Sequence, residues 1–438
     1  MDTNDWLKDE INKIHMQIKE ININMNKKDD DLKNIIEEKD ILIKKLEKKL
    51  LKQKKRLNEL NNILIENVVN KNGINLKYFS DGSWWKTKIF GDKFVKNNQD
   101  NIELMINGDK TKLIEKAELH YGENNIKIIL KNKLENLEEM FKGCNSLLNI
   151  EELKYLDVSN VKNFSYMFYD CSRLSDIKSL KNWNVSNGNN FSHMFCNCSL
   201  LSDIKSLKNW NVSNGNNFSY MFYNCSRLSE IKSLKNWNVS NGNNFSYMFY
   251  DCFTLSDIKP LENWNVSNGN NFSKMFNNCS SLSEIKPLEN WNVCKGNDFS
   301  YMFCNCSLLS DIKPLENWNV SNGHNFSNMF NNCSILSDIK SLENWNVSNG
   351  NNFEYMFYGC ESLSDIKSLE NWNVSNGNNF SGMFYACKLS DIKSLENWNV
   401  SNGKDFSYMF SGCYKLSDIN SLENWKTKNK IFKISDIK

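Results

Sequence analysis

Tryptophan returns every 27 residues over more than half of this chain, at Trp183, Trp210, Trp237, Trp264, Trp291, Trp318, Trp345, Trp372, Trp398 and Trp425. The one shorter interval, 26 residues, separates Trp372 from Trp398, where "ACKLSDIK" lacks a residue. A period this regular leaves little freedom. One unit of that length cannot bury its own apolar face, so it must bury it against the units before and after it. The chain is therefore expected to be a solenoid.

The unit beginning at Phe164 shows what each coil should contain. Phe164, Met167, Phe168 and Cys171 lie at i, i+3, i+4 and i+7, which predicts a short helix with one apolar face. Leu174 and Ile177 in "LSDIK" predict a short strand, followed by the apolar positions Leu180, Trp183 and Val185. In Ser186–Gly188 the Asn-Gly pair is expected to supply positive φ and turn the chain back. Pro260, Pro287 and Pro314 replace the serine of "DIKS" in three successive units. Proline donates no ladder hydrogen bond, so the strand should end by that column.

With these residues in view, "LSDIKSLxNWNVSNGNNFSYMFYNCS" resembles the leucine-rich repeat of the BspA type, carried by its W-N-V-S-N…M-F-x-x-C spine over residues 135–425. It has one extra residue between Ile177 and Trp183, and Gly188 stands where that family usually has valine. The resemblance implies a solenoid used for binding and surface interaction, and no shared catalytic site. The expected fold class is an α/β leucine-rich-repeat solenoid of about ten or eleven coils, each a short strand plus a short helix. A C-terminal tail or cap, 426–438, should follow it.

Two segments precede the repeat. Residues 1–72 are charged and carry heptads: Ile11, Ile18, Met25, Leu32 and Leu46 share one position, with Ile14, Ile21, Ile35 and Leu42 three residues on. From Ile36 a second phase takes over through Ile43, Leu50, Leu57 and Leu64. The shift is either a stutter or two helices meeting near Asn26–Asp31. Such a seam needs burial, so a coiled-coil arm that assembles the chain is expected, the alternative being an arm that folds back on its own body or is partly disordered. The basic run Lys48–Arg56 reads as a solvated face. Residues 73–134 contain short alternating runs such as "NIELMING" and "NIKIILK", which predict a small β-rich unit with a hairpin turn at Asn107–Asp109. Its expected role is to cover the first coil.

Composition narrows the function classes. With 54 basic and 52 acidic residues the net charge is +2, which gives no global reason to expect nucleic acid or an acidic membrane. The start, "MDTNDWLKDE", has no secretory signal pattern, and no apolar run reaches the roughly 18 residues of a membrane helix. A cytoplasmic protein is expected, and its 14 cysteines are expected to be free thiols. An exported, adhesin-like surface protein is the second reading.

No motif for catalysis is present. The histidines, at 15, 120, 193 and 324, are scattered, and there is no phosphate loop, nucleophile elbow or HExxH. No catalytic residue and no cofactor are expected, and an enzyme with a diffuse site has nothing behind it. The column from Cys144 through Cys171 to Cys413 reads as buried small hydrophobes. His193, Cys196 and Cys198 resemble soft ligands but lack a fourth, so no metal is expected. The recurring Asn-Val-Ser has the form of a glycosylation acceptor, but Asn182, Asn184 and their equivalents are expected to satisfy backbone groups at the turns.

Function is expected where the copies disagree. After the column leucine, Lys181, Lys208 and Lys235 give way to Glu262, Glu289, Glu316, Glu343, Glu370, Glu396 and Glu423. A second variable column holds Tyr166, His193, Tyr220, Tyr247, Lys274, Tyr301, Asn328, Tyr355, Gly382 and Tyr408. Exposed charges there would orient a protein partner, the alternative being that the switch records which repeat copies were duplicated last, and exposed tyrosines would suit recognition. The expected function is a non-enzymatic protein-interaction scaffold, its expected partners being an unidentified protein and further copies of the chain through the helical arm.

Overall fold

The computed structural model describes residues 3–24, 36–56, 73–82, 85–423 and 425. They belong to two compact units, Met1–Lys71 and Asn72–Lys438.

The described residues of the first unit form two helices, α1 (Thr3–Asn24) and α2 (residues 36–56). Ile11 and Ile18 of α1 are buried together with Ile43 of α2, and Ile14, Ile36 and Leu50 pack against them. The two heptad phases thus face each other within one chain, which supplies its own partner for the seam. Leu42, placed on the first phase by its spacing, is 54% exposed, so that phase does not continue into α2. Met25, Leu32, Ile35, Leu57 and Leu64 lie outside the described residues. The run 48–56 is largely exposed, as a solvated face should be.

The second unit opens with an antiparallel sheet of strand order β4-β3-β6-β1-β7. Its strands are β1 (Ile74–Ser80), β3 (Ile102–Ile106), β4 (Asp109–Lys112), β6 (Gly122–Leu130) and β7 (Leu147–Asn149), with β2 (Thr87–Lys88) and β5 (Lys116–Ala117) paired separately. Alternation in β1 buries Ile74, Leu76 and Tyr78 on one face. The turn joining β3 to β4 sits at Asn107 and Gly108, with φ of 49° and 101°, as Asn-Gly favours. A short helix, α3 (Asp92–Asn98), places Phe94 beside Phe90, and Phe90 in turn meets Phe141 of the first coil at 6.0 Å. Gly91 allows that approach, because a Cβ there would come within 2.0 Å of the Glu139 carbonyl oxygen. β7 comes from beyond residue 134, so the sheet takes its last strand from the solenoid it covers.

The repeats form a leucine-rich solenoid, but two of the expected local structures are absent. Phe164–Cys171 is not helical. It is a chain of i→i−3 turns, such as Met167 N–H to the Phe164 carbonyl, in which Tyr166 and Asp170 have φ of 58° and 59°. Two left-handed residues four apart break a helix and aim alternate N–H groups along the solenoid. Phe164, Tyr166, Phe168 and Asp170 donate to the carbonyls of Asn190, Ser192, Met194 and Cys196 at 2.8–2.9 Å. Half of the segment's donors are satisfied inside the coil and half by the next one.

Nor is "LSDIK" a strand. Ile177 caps a 3-10 helix, Lys178–Asn182, and equivalents run from Glu151–Tyr155 to Asn420–Leu422. Parallel pairing is confined to single bridges, chiefly the column Asn136, Asn163, Asn190 and onward to Asp405. The expected α/β class is therefore corrected: among the described residues of the repeats no α-helix occurs, each coil is built of turns and a 3-10 helix, and extended pairing is limited to β7 in the first coil and to single bridges. Pro260, Pro287 and Pro314 do not end a strand. They occupy the first turn of 3-10 helices, where a missing N–H leaves no bond unmade.

Gly188 and its equivalents need correction too. They do not have positive φ. A Cβ on Gly188 would lie 2.4 Å from Cζ of Phe191 and 3.0 Å from the Val185 carbonyl oxygen, so glycine is there because the ring fills the space. Among the described residues no helix is long and apolar enough to cross a membrane.

Candidate interaction surface

Most columns of the repeat are committed to the interior. The phenylalanine columns stack at 5.1–5.9 Å between consecutive rings from Phe141 to Phe410, as between Phe218 and Phe245 at 5.7 Å. Each column tryptophan is buried and donates its indole N–H backward, Trp210 to the Leu180 carbonyl at 2.9 Å. The cysteine column does the same with its thiols, Cys225 donating to the Phe195 carbonyl at 3.2 Å. All 14 cysteines are free, and burial pushes the column thiols well above their ordinary range, Cys413 up to about 11. A thiol so placed packs as a small hydrophobe and is a poor nucleophile. The off-column Cys196 and Cys304 are buried, with thiols pushed up to about 12, and Cys294 is only half-buried. Among the described residues no group of three His, Cys, Asp or Glu side chains is placed to hold a metal ion.

Asparagine satisfies backbone, though not through both expected positions. Asn184 accepts from the Ser186 N–H at 3.2 Å within its own turn. The link between coils is made by Asn187, whose amide donates to the Ser159 carbonyl at 2.7 Å, and not by Asn182, whose side chain is exposed. A further amide ladder runs through Asp251, Asn278, Asn305 and Asn332, at 2.6–2.9 Å. That ladder occupies the left-handed position at Asp170 and its equivalents, which suits Asn, Asp and Gly.

The second left-handed position is filled differently. Tyr166, His193, Tyr220, Tyr247, Lys274 and Tyr301 all have φ of 57–58°, although their side chains disfavour that region. Their rings compensate by stacking: Tyr166 on His193 at 4.1 Å, His193 on Tyr220 at 4.2 Å and Tyr220 on Tyr247 at 4.1 Å. The Lys274 ammonium takes the place of a ring, 4.8 Å from Tyr247 and 4.7 Å from Tyr301, and donates to the Tyr247 hydroxyl. Rings of the same column thus cover Tyr166, Tyr220 and Tyr247, Lys274 covers Tyr301, and Tyr355 lies against Gly382 and edge-on to Tyr358, which corrects the expectation of exposed tyrosines; all five are half-buried. Tyr408, at the open end of the column, is 58% exposed. A neighbouring row three residues on, with Tyr223 stacked on Tyr250 at 4.7 Å and Tyr358 on Tyr385 at 4.6 Å, was not singled out by sequence reasoning. Its signal was the recurrence of tyrosine at 169, 223 and 250, blurred by Cys196 and Asn277.

Burial and the Lys142 charge hold the His193 imidazole down at about 4. The folded state therefore disfavours its protonation, and the stability of the neutral form is present above about pH 6.5 and lost as pH falls toward about 4. Between about pH 7 and pH 4.5, wild-type stability should fall by about 1 kcal/mol more than that of His193→Asn, allowing for partial exposure. Urea midpoints at the two pH values measure this, and parallel profiles for the two proteins would refute it. Asparagine is tolerated at this position, as Asn328 shows.

The charged column behaves as the sequence suggests. Lys181, Lys208, Lys235, Glu262, Glu289, Glu316, Glu343 and Glu370 are all exposed. Beside the lysines, Lys178, Lys205 and Lys232 lie 3.1, 3.5 and 3.3 Å from Asp176, Asp203 and Glu230 of their own coils. Those pairs cancel, and being exposed they add little stability. What remains along this edge is a line of one charge per coil that is basic for three coils and acidic after them.

A family model described as a Mycoplasma protein of unknown function, DUF285, matches residues 115–230, 201–312, 226–341, 270–394 and 334–435. The crystal structure of a leucine rich cell surface protein from Faecalibacterium prausnitzii is similar at 15% identity and a TM-score of 0.33, over 69% of this chain and 87% of that one. No curated protein matches the chain.

Proposed function

The chain belongs to the DUF285 family of Mycoplasma proteins of unknown function, matched along most of its length, and from the pattern of its exposed edge we propose that it is a non-enzymatic protein-interaction scaffold. One observation carries this reading. The buried columns hardly vary between coils, whereas the exposed column beside them switches from Lys235 to Glu262 and stays acidic. Packing constrains the first set, and solvent leaves the second free to be set by a partner. The helical unit serves as a tether or assembly element.

The test is affinity capture by the full chain, followed by cross-linking, against the variant Glu262→Gln/Glu289→Gln/Glu316→Gln. A scaffold acting through this edge loses its cross-linked partner when the charges are neutralised. An identical set of cross-links from both proteins would remove the basis of the proposal.

The thiols favour a reducing compartment over export, since a secreted chain with 14 cysteines in neighbouring coils would meet oxidising conditions. In protein isolated from its native cell under acid quench, a thiol reagent should count all 14 in denaturant. In the native state Cys294, the one that is not buried, should react first. A shortfall in the denatured count would mean disulfides and would argue for the exported reading.

A further inference from the structure

The switch in the charged column has a symmetry of its own. We propose that two copies of this chain pair antiparallel along this edge, about a two-fold axis passing between the coils of Lys235 and Glu262. In that register Lys235 faces Glu262 of the second copy, Lys208 faces Glu289 and Lys181 faces Glu316, and the two-fold repeats each pair in the opposite sense. Every facing pair in those six coils is then of opposite sign. The coil before them does not extend the match, because Lys154 is held 3.1 Å from its own Glu151.

Other arrangements do worse. Parallel pairing in register sets lysine against lysine and glutamate against glutamate. Antiparallel pairing over the ten coils from Lys181 to Glu423 sets Glu262 against Glu343 and Glu289 against Glu316. Like charges directly opposed are unfavourable. Among antiparallel registers, only an axis at the switch itself leaves no like charges opposed anywhere in the overlap. The pitch also matters. Both copies repeat their charges at the same coil spacing, about 5 Å for in-register stacking, so one pair in register brings the others into register. The lysines in question are available, because their neighbours Lys178, Lys205 and Lys232 are already paired within their own coils.

This inference rests on the scaffold reading of the exposed edge and names its partner as a second copy. Sedimentation of the full chain tests it at about 50 mM and about 500 mM salt, where surface pairs are weakly and strongly screened. The expected result is a dimer at low salt that dissociates at high salt. K181E/K208E/K235E should weaken association about tenfold or more, and adding E262K/E289K/E316K to that variant should restore it. Association that the triple variant leaves unchanged, or that salt does not affect, would belong to the helices of residues 1–71 and would overturn the pairing. A wild-type chain that stays monomeric at low salt overturns it as well. If that monomer instead binds a decalysine peptide, the acidic coils serve a basic partner. Loss of pairing with charge-dependent capture of another protein retained would sink this inference alone, whereas loss of both would sink the scaffold reading too.

Discussion

Phe272→Ala is expected to destabilise the solenoid by about 3–5 kcal/mol and to split its unfolding into two transitions. Phe272 is fully buried, stacked between Phe245 and Phe299 at 5.7 Å on each side and tilted against Trp291 at 6.2 Å. Truncation removes the ring from both stacks at once. The cavity cannot close easily, because the coils on either side are held by backbone bonds such as Phe272 N–H to the Asp298 carbonyl at 2.9 Å. Each coil touches only its neighbours, so a weak coil in the middle separates two blocks that otherwise unfold together. Denaturant titration followed by the column tryptophans reports both effects. One cooperative transition displaced by less than about 1 kcal/mol would show that the rings are not what couples the coils.

Gly269→Ala should cost about 1–3 kcal/mol, a large effect for one methyl group. Its Cβ would stand 2.4 Å from Cζ of Phe272 and 3.0 Å from the Val266 carbonyl oxygen, so the ring must leave its rotamer or the turn must open. The cause is separable from backbone freedom, since φ at Gly269 lies outside the left-handed region. In a Phe272→Ala background the same change should cost far less, because the obstructing ring is gone. A double-mutant cycle measures that coupling. Strictly additive losses would place the glycine requirement in the backbone and not in the ring.

The misreading of Phe164–Cys171 as helix has an identifiable origin. Apolar residues at i, i+3, i+4 and i+7 also fit successive four-residue turns, each with one left-handed residue. The hint was present in the Asn, Asp and Gly of the column at Asp170, but tyrosine in the column at Tyr166 argued the other way. Its φ is imposed by bonds to the next coil and offset by ring stacking, neither of which is local. The candidate surface was half legible. The order of charges from Lys181 to Glu316 is a property of the sequence, whereas the exposure of that column and the mutual covering of the tyrosines depend on how coils stack.

By itself the sequence determined the repeat length, the columns that must be buried and the position of the charge switch. These follow from a period that permits burial only between neighbours. Tertiary structure alone decided the rest. It set the path inside each coil, because backbone donors at Phe164, Tyr166, Phe168 and Asp170 are satisfied by the next coil and not by their own. It made Gly188 a matter of space and not of φ, because Phe191 folds back onto it. It also gave the seam of α1 its partner, since Ile11 and Ile18 find Ile43 in the same chain.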